Sequence, residues 1–105
     1  MRRTKIHSNE GLWGPGSIQT LVKEYFFESK NKNKVYYEEC MLAAKRYELK
    51  AIGGRKPGSI AAAIVYTKGA GYFPRTVQDS VCKFFGVTEV SARNNRRYLR
   101  EEKIL

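Results

Sequence analysis

The sequence predicts a single all-α domain, and three observations support that fold class. Apolar residues recur at the three- and four-residue spacing of amphipathic helices, between breaks that are rich in glycine and proline. Nowhere does a two-residue hairpin turn lie between alternating apolar and polar residues, so no β-strand is predicted. The length of 105 residues allows one modest core, and 42% hydrophobic with 12% aromatic residues excludes a wholly disordered basic chain.

The first helix is predicted over residues 18–29, after a flexible basic N-terminal arm at residues 1–16. Its buried stripe comprises Ile18, Leu21, Val22, Tyr25 and Phe26. This spacing places all of them on one face of a helix. Ser17 is predicted to cap the start of the helix, because a serine hydroxyl accepts a backbone NH group that has no partner there. Residues 17–105 are thus expected to form the folded domain.

The second helix follows a polar run at residues 31–34. Its stripe comprises Tyr36, Cys40, Ala43, Tyr47 and Ala51. The predicted end is at Gly53-Gly54, because glycine readily adopts the left-handed conformation that terminates helices.

The third helix is predicted to be the central one. Ser59 is expected to cap it, and residues 60–66 are apolar on nearly every face, which is typical of a helix surrounded by others. Its alanines allow neighbouring helices to approach closely on several sides. The exit lies at Gly69-Ala70-Gly71.

Two shorter segments complete the domain. Thr76 is predicted to cap a fourth helix whose buried stripe comprises Val77, Val81 and Phe84 and which ends at Gly86. Thr88 is predicted to cap a fifth helix that runs through Val90 and Leu99 towards the C-terminus.

Residues 75–105 therefore have the order helix, glycine-containing turn, helix, which is typical of a helix-turn-helix. In that motif the second helix enters the major groove of DNA with its N-terminal residues at the base edges. On the fifth helix Arg93, Asn94, Arg97 and Arg100 share one face. Arginine can bind the O6 and N7 atoms of guanine, asparagine can bind the N6 and N7 atoms of adenine, and Val90 can contact a thymine methyl group.

Three segments in this half of the chain resemble one cyclin-like repeat of transcription factor IIB and of its archaeal homologue, transcription factor B. They read KPGSIAAAIVY at 56–66, PRTVQD at 74–79 and GVTEVSARN at 86–94. The family patterns P-x-S-I-A-A-A, P-R-T-x-x-E and G-V-[ST]-E-V-T-[IV]-R-N occur in the same order. The resemblance covers about the last 50 residues.

This resemblance implies a five-helix cyclin-like bundle with a C-terminal helix-turn-helix. In the family's second repeat that element reads DNA beside a TATA box, and both repeats hold the TATA-binding protein, which is therefore a possible partner. The valine and arginine of the family's recognition helix correspond to Val90 and Arg93. The chain departs from the family in having a single repeat and no zinc ribbon. It also has Ala92 and Arg96 where the family places a larger aliphatic residue and a tyrosine on the inner face.

Position on the helix and the resemblance together predict the DNA-binding residues. The base-reading residues are predicted to be Val90, Ser91, Arg93 and Asn94. The phosphate-binding residues are predicted to be Arg75, Thr76, Thr88, Arg97 and Arg100. The expected function is sequence-specific binding of duplex DNA by a transcription regulator encoded by an archaeon or by one of its viruses or plasmids.

The net charge of +10 favours a polyanionic partner, because basic side chains release the counterions of nucleic-acid phosphates. Two alternatives stay open. A cyclin-like domain can instead bind a protein of transcription or replication, an alternative favoured by Ala92, Arg96 and the apolar C-terminal pair Ile104-Leu105. The chain can also bind single-stranded nucleic acid or RNA through exposed tyrosines.

An enzyme, a metal site and a cofactor are not expected. The single histidine, His7, lies in the arm without a nucleophile or carboxylate at motif spacing, and Cys40 and Cys82 are far apart in the sequence. The uncharged apolar stretch at residues 57–67 is too short to span a membrane, and no apolar run follows the basic N-terminus as in a signal peptide. We therefore expect an intracellular, nucleoid-associated protein without membrane contact.

Overall fold

A computed structural model describes residues 17–50, 55–72 and 78–105. In these ranges the chain forms five α-helices and no strand: α1 (Ser17–Ser29), α2 (Lys34–Leu49), α3 (Pro57–Gly69), α4 (Gln78–Phe85) and α5 (Glu89–Glu101). The predicted all-helical fold class is thereby confirmed for the described residues. Several predictions lie outside the described residues: the arm at 1–16, the side chain of Ser17, the place of Ala51 in the second stripe, and the roles assigned to Arg75, Thr76 and Val77. The end predicted for the second helix at Gly53-Gly54 is wrong, because α2 ends at Leu49 with Lys50 as its C-cap.

Helix α3 is the centre of the bundle, as the sequence predicts. All six residues from Ile60 to Val65 have no exposed surface, and α3 contacts each of the other four helices. The cap predicted at Ser59 is wrong. The helix begins at Pro57, after Lys56 as N-cap, since a proline in the first turn has no NH group that needs a partner. Ser59 lies inside the helix and is buried.

Helices α1 and α2 form one side of the bundle. Helix α1 buries four of the five residues predicted for its stripe, and the fifth, Tyr25, is half-buried. The buried face of α2 comprises Tyr36, Cys40, Ala43, Ala44 and Tyr47. Its N-cap is Asn33, whose side-chain oxygen accepts the NH group of Tyr36 at 3.0 Å. The Tyr36 hydroxyl donates to the carbonyl oxygen of Val65 at 2.8 Å and so ties α2 to α3.

The interior face of α4 differs by one residue from the predicted stripe. Val81 is buried as predicted, but Phe84 is half-buried, and Phe85 and Cys82 fill the core. Phe84 instead packs edge-on against Tyr25, with ring centroids 5.3 Å apart. The helix therefore presents Val81 and Phe85, four residues apart, to the core, where the Phe85 ring stacks on that of Tyr25 at 5.8 Å.

Both of the last helices end in the same way. After α4 the NH groups of Gly86 and Val87 donate to the carbonyl oxygens of Lys83 and Cys82, at 3.3 and 3.0 Å, with Gly86 at φ 69°. After α5 the NH groups of Lys103 and Ile104 donate to Arg100 and Leu99, at 3.0 and 2.9 Å, with Lys103 at φ 61°. Each is a Schellman motif, and the second returns the side chain of Ile104 to the core.

Candidate nucleic-acid interface

Helix α5 has one face against α3 and one face in solvent. The inner face comprises Ala92, Asn95 and Leu99, which are all buried. The outer face comprises the exposed residues Val90, Arg93, Asn94, Arg97 and Arg100. The structure thus brings together most of the DNA-binding residues that the sequence predicts, on one surface of one helix. We call these five residues the outer α5 face.

A short turn positions α5 relative to α4. Residues 86–88 connect the two helices, and the turn begins with the left-handed Gly86. The cap predicted at Thr88 is confirmed, because its side-chain oxygen accepts the NH group of Ser91 at 3.1 Å. Thr88 is an exposed residue, and its hydroxyl has hydrogen-bonding capacity beyond the one bond that makes the cap.

Ser91 does not lie with the outer α5 face. It is half-buried, and its hydroxyl oxygen is 2.8 Å from the hydroxyl oxygen of Ser59 on α3. This contact directs the Ser91 side chain towards the interior of the bundle. The geometry therefore favours a role for Ser91 in holding α5 against α3 and does not favour the base-reading role predicted for it.

Asn95, which is not among the predicted site residues, holds α5 at the next turn. Its amide nitrogen donates to the carbonyl oxygen of Ser91 at 2.8 Å, and its amide oxygen accepts from the Arg55 guanidinium at 3.1 Å. The same guanidinium lies 3.7 Å from the centroid of the Tyr98 ring. The i, i+3, i+7 spacing of Ala92, Asn95 and Leu99 is the signal that identifies Asn95 as an inner-face residue.

The first turn of α5 carries a polar chain that reaches from α4 to Arg93. The Gln78 amide donates to the Glu89 carboxylate at 2.8 Å, and the same carboxylate oxygen is 3.9 Å from the Arg93 guanidinium. Arg93 is half exposed in this position, so the ion pair is a weak surface contact that a stronger anion can replace. In the described part of the chain, Arg97 and Arg100 form no ion pair.

The surface around these arginines is a shallow, open depression. It is lined by Arg93, Asn94, Arg96, Arg97, Arg100 and Glu101. Four guanidinium groups against one carboxylate make the lining strongly cationic, which suits phosphate groups better than a neutral ligand.

The two departures from the transcription factor B pattern lie at the inner edge of α5. Ala92 is buried against the bundle, so the smaller side chain is accommodated by packing. Arg96 is half-buried, with its guanidinium carbon 5.6 Å from the centroid of the Tyr66 ring. Arg96 therefore packs along Tyr66 where the family has a tyrosine, and its charge stays at the rim of the depression.

The two alternative functions depend in part on the exposure of the apolar C-terminal pair and of the tyrosines, and the folded chain exposes neither set fully. Ile104 is buried and Leu105 is half-buried against the core, so the apolar C-terminal pair is not an exposed patch. All seven tyrosines lie in the described residues, and each of them is buried or half-buried. Among the described residues, the aromatic side chain that is largely exposed is Phe27 on α1, at 78%.

The two cysteines are interior side chains. Cys40 and Cys82 are both buried, and burial raises the pKa of each thiol above its ordinary value, so both are protonated at neutral pH. Among the described residues no three His, Cys, Asp or Glu side chains converge as metal ligands would. None of the described helices combines the length and the apolar character needed to cross a bilayer.

Comparison of the chain with protein-family profiles, with curated proteins and with solved structures finds no match.

Proposed function

We propose that this chain is a sequence-specific duplex DNA-binding protein, in which α4, the turn at residues 86–88 and α5 act as a helix-turn-helix. The observation that carries the proposal is the outer α5 face, where two long exposed arginines, Arg97 and Arg100, continue the line of Val90, Arg93 and Asn94. The inner face of the same helix is fixed to α3, so α5 is presented as a rigid rod.

Position along α5 assigns a role to each residue. Val90, Arg93 and Asn94 lie in the first two turns, which a helix-turn-helix inserts deepest into the major groove. We assign Arg93 to the base edge of guanine and Asn94 to the base edge of adenine. Val90 is assigned to contact with a thymine methyl group. Arg97 and Arg100 lie one and two turns further along, where they meet phosphates at the edge of the groove. When Arg93 binds a guanine edge, the guanine acceptors replace the Glu89 carboxylate as the partner of the Arg93 guanidinium.

The finer fold and the biological role belong to the same proposal. We assign the bundle to the cyclin-like class and the chain to regulation of transcription, with TATA-binding protein as a possible second partner. This assignment is supported by the segments at 56–66, 74–79 and 86–94 that resemble transcription factor B. The nucleoid is the expected location of such a protein.

The electrostatic part of the proposal is tested by the salt dependence of DNA binding. If five to seven basic side chains reach phosphates, log K falls against log salt concentration with a slope of about −4 to −6. Fluorescence anisotropy with a labelled random duplex at several salt concentrations measures this slope. Tight binding that does not respond to salt would contradict the proposed interface.

The reading of sequence is tested by comparing Arg93→Ala with Arg100→Ala. A preferred site is first selected from a random pool with the unmodified protein, and each variant is then measured on that site and on a scrambled duplex. Arg93→Ala is expected to cost about 1–3 kcal/mol on the preferred site only. Arg100→Ala is expected to weaken binding to both duplexes alike and to make the salt slope shallower by about one.

The matched control is Lys23→Ala, which removes the same charge from an exposed position on α1. It is expected to change both affinities little. If Arg93→Ala lowers both affinities by the same factor, α5 binds phosphates without reading bases. If neither arginine variant differs from Lys23→Ala, the proposed function is wrong and a protein partner takes its place.

A further inference from the structure

The outer face of α2 carries a narrow apolar stripe. Val35, Leu42 and Leu49 are 56%, 49% and 76% exposed, and no helix of the described chain packs on them. Seven residues make about two helical turns, so the three side chains line up over about 21 Å. They lie on the side of α2 opposite its buried face. We call this feature the α2 stripe.

Charged residues flank the α2 stripe in an ordered way. By helical geometry Glu38 and Lys45 lie along one side of it, and Glu39 and Arg46 along the other. All four residues are exposed. In the described ranges Glu38, Lys45 and Arg46 take part in no ion pair, while Glu39 is hydrogen-bonded to the Tyr72 side chain. Both acids precede Leu42 in the sequence and both bases follow it.

We propose that the α2 stripe is the interface of an antiparallel homodimer whose two-fold axis passes beside Leu42. A two-fold axis perpendicular to the plane of the two helices places each residue opposite the one equally far on the other side of Leu42. Leu42 then meets the partner's Leu42, and Val35 meets the partner's Leu49. Because this axis is perpendicular to the plane of the two helices, each charged flank of one helix lies beside the same flank of the partner helix.

The same operation pairs opposite charges on both flanks. On one flank Glu38 lies beside the partner's Lys45, and on the other Glu39 lies beside the partner's Arg46, within about one residue of rise. The symmetry repeats each pair, so the dimer contains four. A parallel arrangement would instead place acid beside acid and base beside base. The charge order is therefore self-complementary only in the antiparallel sense, as a two-fold interface requires.

The dimer is expected to belong to the weak, transient class. The apolar contact is one row of three side chains, and the net charge of +10 opposes association at low salt. The inference is independent of the proposed DNA binding, because α2 and the outer α5 face are different surfaces.

Sedimentation equilibrium of the full chain without DNA, at concentrations up to about 1 mM and moderate salt, tests the proposal. The average mass is expected to rise from 12.1 kDa towards twice that value. Leu42→Glu places two carboxylates at the axis and is expected to keep the chain monomeric. Its helical circular dichroism and melting temperature should match those of the unmodified chain, since Leu42 is exposed. The control is Phe27→Glu, an equivalent change at an exposed position on α1, which should leave the dimer intact.

Charge exchange distinguishes a second copy from any other partner. Glu38→Lys and Lys45→Glu, each alone, bring like charges together twice per dimer and are expected to weaken association about tenfold. An equal mixture of the two variants restores both attractive pairs in the heterodimer and is expected to associate more tightly than either variant alone. A chain that stays monomeric throughout, a dimer that survives Leu42→Glu, or a mixture no tighter than its components would each overturn the proposal.

Discussion

The carboxylate of Glu48, in the last turn of α2, accepts the backbone NH group of Ile18, in the first turn of α1, at 2.7 Å across 30 residues of sequence. The same carboxylate accepts from the Gln19 NH group at 3.4 Å and from the Gln19 amide at 2.6 Å. A negative charge at the N-terminus of α1 also complements the helix dipole. The C-terminal end of one helix thus supplies the N-terminal cap of another.

We expect Glu48→Ala to lower the free energy of unfolding by about 1–3 kcal/mol, because two helix NH groups lose a charged acceptor. Glu48→Gln, which keeps an acceptor oxygen without the charge, should lose less. Urea denaturation measures both changes. Glu24→Ala, an exposed acid on α1, is the control and should stay within about 0.5 kcal/mol of the unmodified chain. An effect of Glu48→Ala no larger than that of Glu24→Ala would contradict the capping role.

Two adjacent asparagines on α5 are expected to behave oppositely. Asn95→Ala removes the amide that joins Ser91 to Arg55 and should cost about 1–2 kcal/mol of stability. Asn94→Ala, at an exposed position, should leave stability within about 0.5 kcal/mol. Chemical denaturation of both variants is the measurement, and equal effects would mean that the inner and outer faces of α5 are assigned wrongly.

The left-handed residues after α4 and α5 predict changes of opposite sign. Lys103→Gly should stabilise the chain by about 0.5–1 kcal/mol, because glycine adopts φ near +61° without the steric cost of a β-carbon. Gly86→Ala should destabilise it by more than about 1 kcal/mol for the same reason. Thermal unfolding measures both changes. Gly71→Ala is the control, since an added β-carbon there meets only the Lys68 carbonyl oxygen at 3.8 Å and φ is not in the left-handed region.

Buried thiols predict a loss of stability at alkaline pH. Burial raises the pKa of the Cys40 thiol far above its ordinary value of 9.0, although the nearby Lys68 ammonium acts in the opposite direction. The folded state therefore keeps this proton at a pH where the unfolded chain has lost it. The contribution is fully present below the unfolded pKa and falls as the pH rises above about 9, by about 1.4 kcal/mol per pH unit.

Urea denaturation between pH 7 and pH 11 under reducing conditions tests this linkage. Cys40→Ala is expected to lower stability by a pH-independent amount through the lost side chain and to make the alkaline decline shallower. The groups Cys82, Tyr25 and Tyr47 remain in the variant. Burial raises the pKa of each of them as well, so they add their own decline above their ordinary values of 9.0 for the thiol and 10.0 for the tyrosines. Identical slopes for the variant and the unmodified chain would show that Cys40 does not contribute.

Most of the bundle can be predicted from local pattern. Helical periodicity identifies the stripe of α1, and the uniformly apolar run at 60–65 identifies α3 as the helix that others surround. Periodicity defines the direction of a face only to about one residue, however, since successive side chains differ by about 100°. For this reason periodicity did not distinguish Phe84 from Phe85: both rings pack against Tyr25 of α1, but only Phe85 is buried.

In the candidate site, too, some features follow from helical geometry and others depend on residues that are distant in the sequence. The common outer surface of Arg93, Asn94, Arg97 and Arg100 follows from helical geometry alone and is confirmed as a shared exposed face. The inward contact of Ser91 does not follow, because its partner, Ser59, is 32 residues away.

Within the described residues, the sequence by itself determined the number and order of the helices, the central place of α3 and the side of α5 that faces solvent. Each of these depends on spacing within one segment, and the hydrophobic effect acts on that spacing without regard to a particular partner. Only the tertiary structure decided that Glu48 caps α1, that Ser91 contacts Ser59 on α3 and that Asn95 accepts from Arg55 outside α5. Hydrogen bonds need a donor and an acceptor within about 3 Å and in line, and for residues far apart in sequence the packing of the helices alone sets that distance.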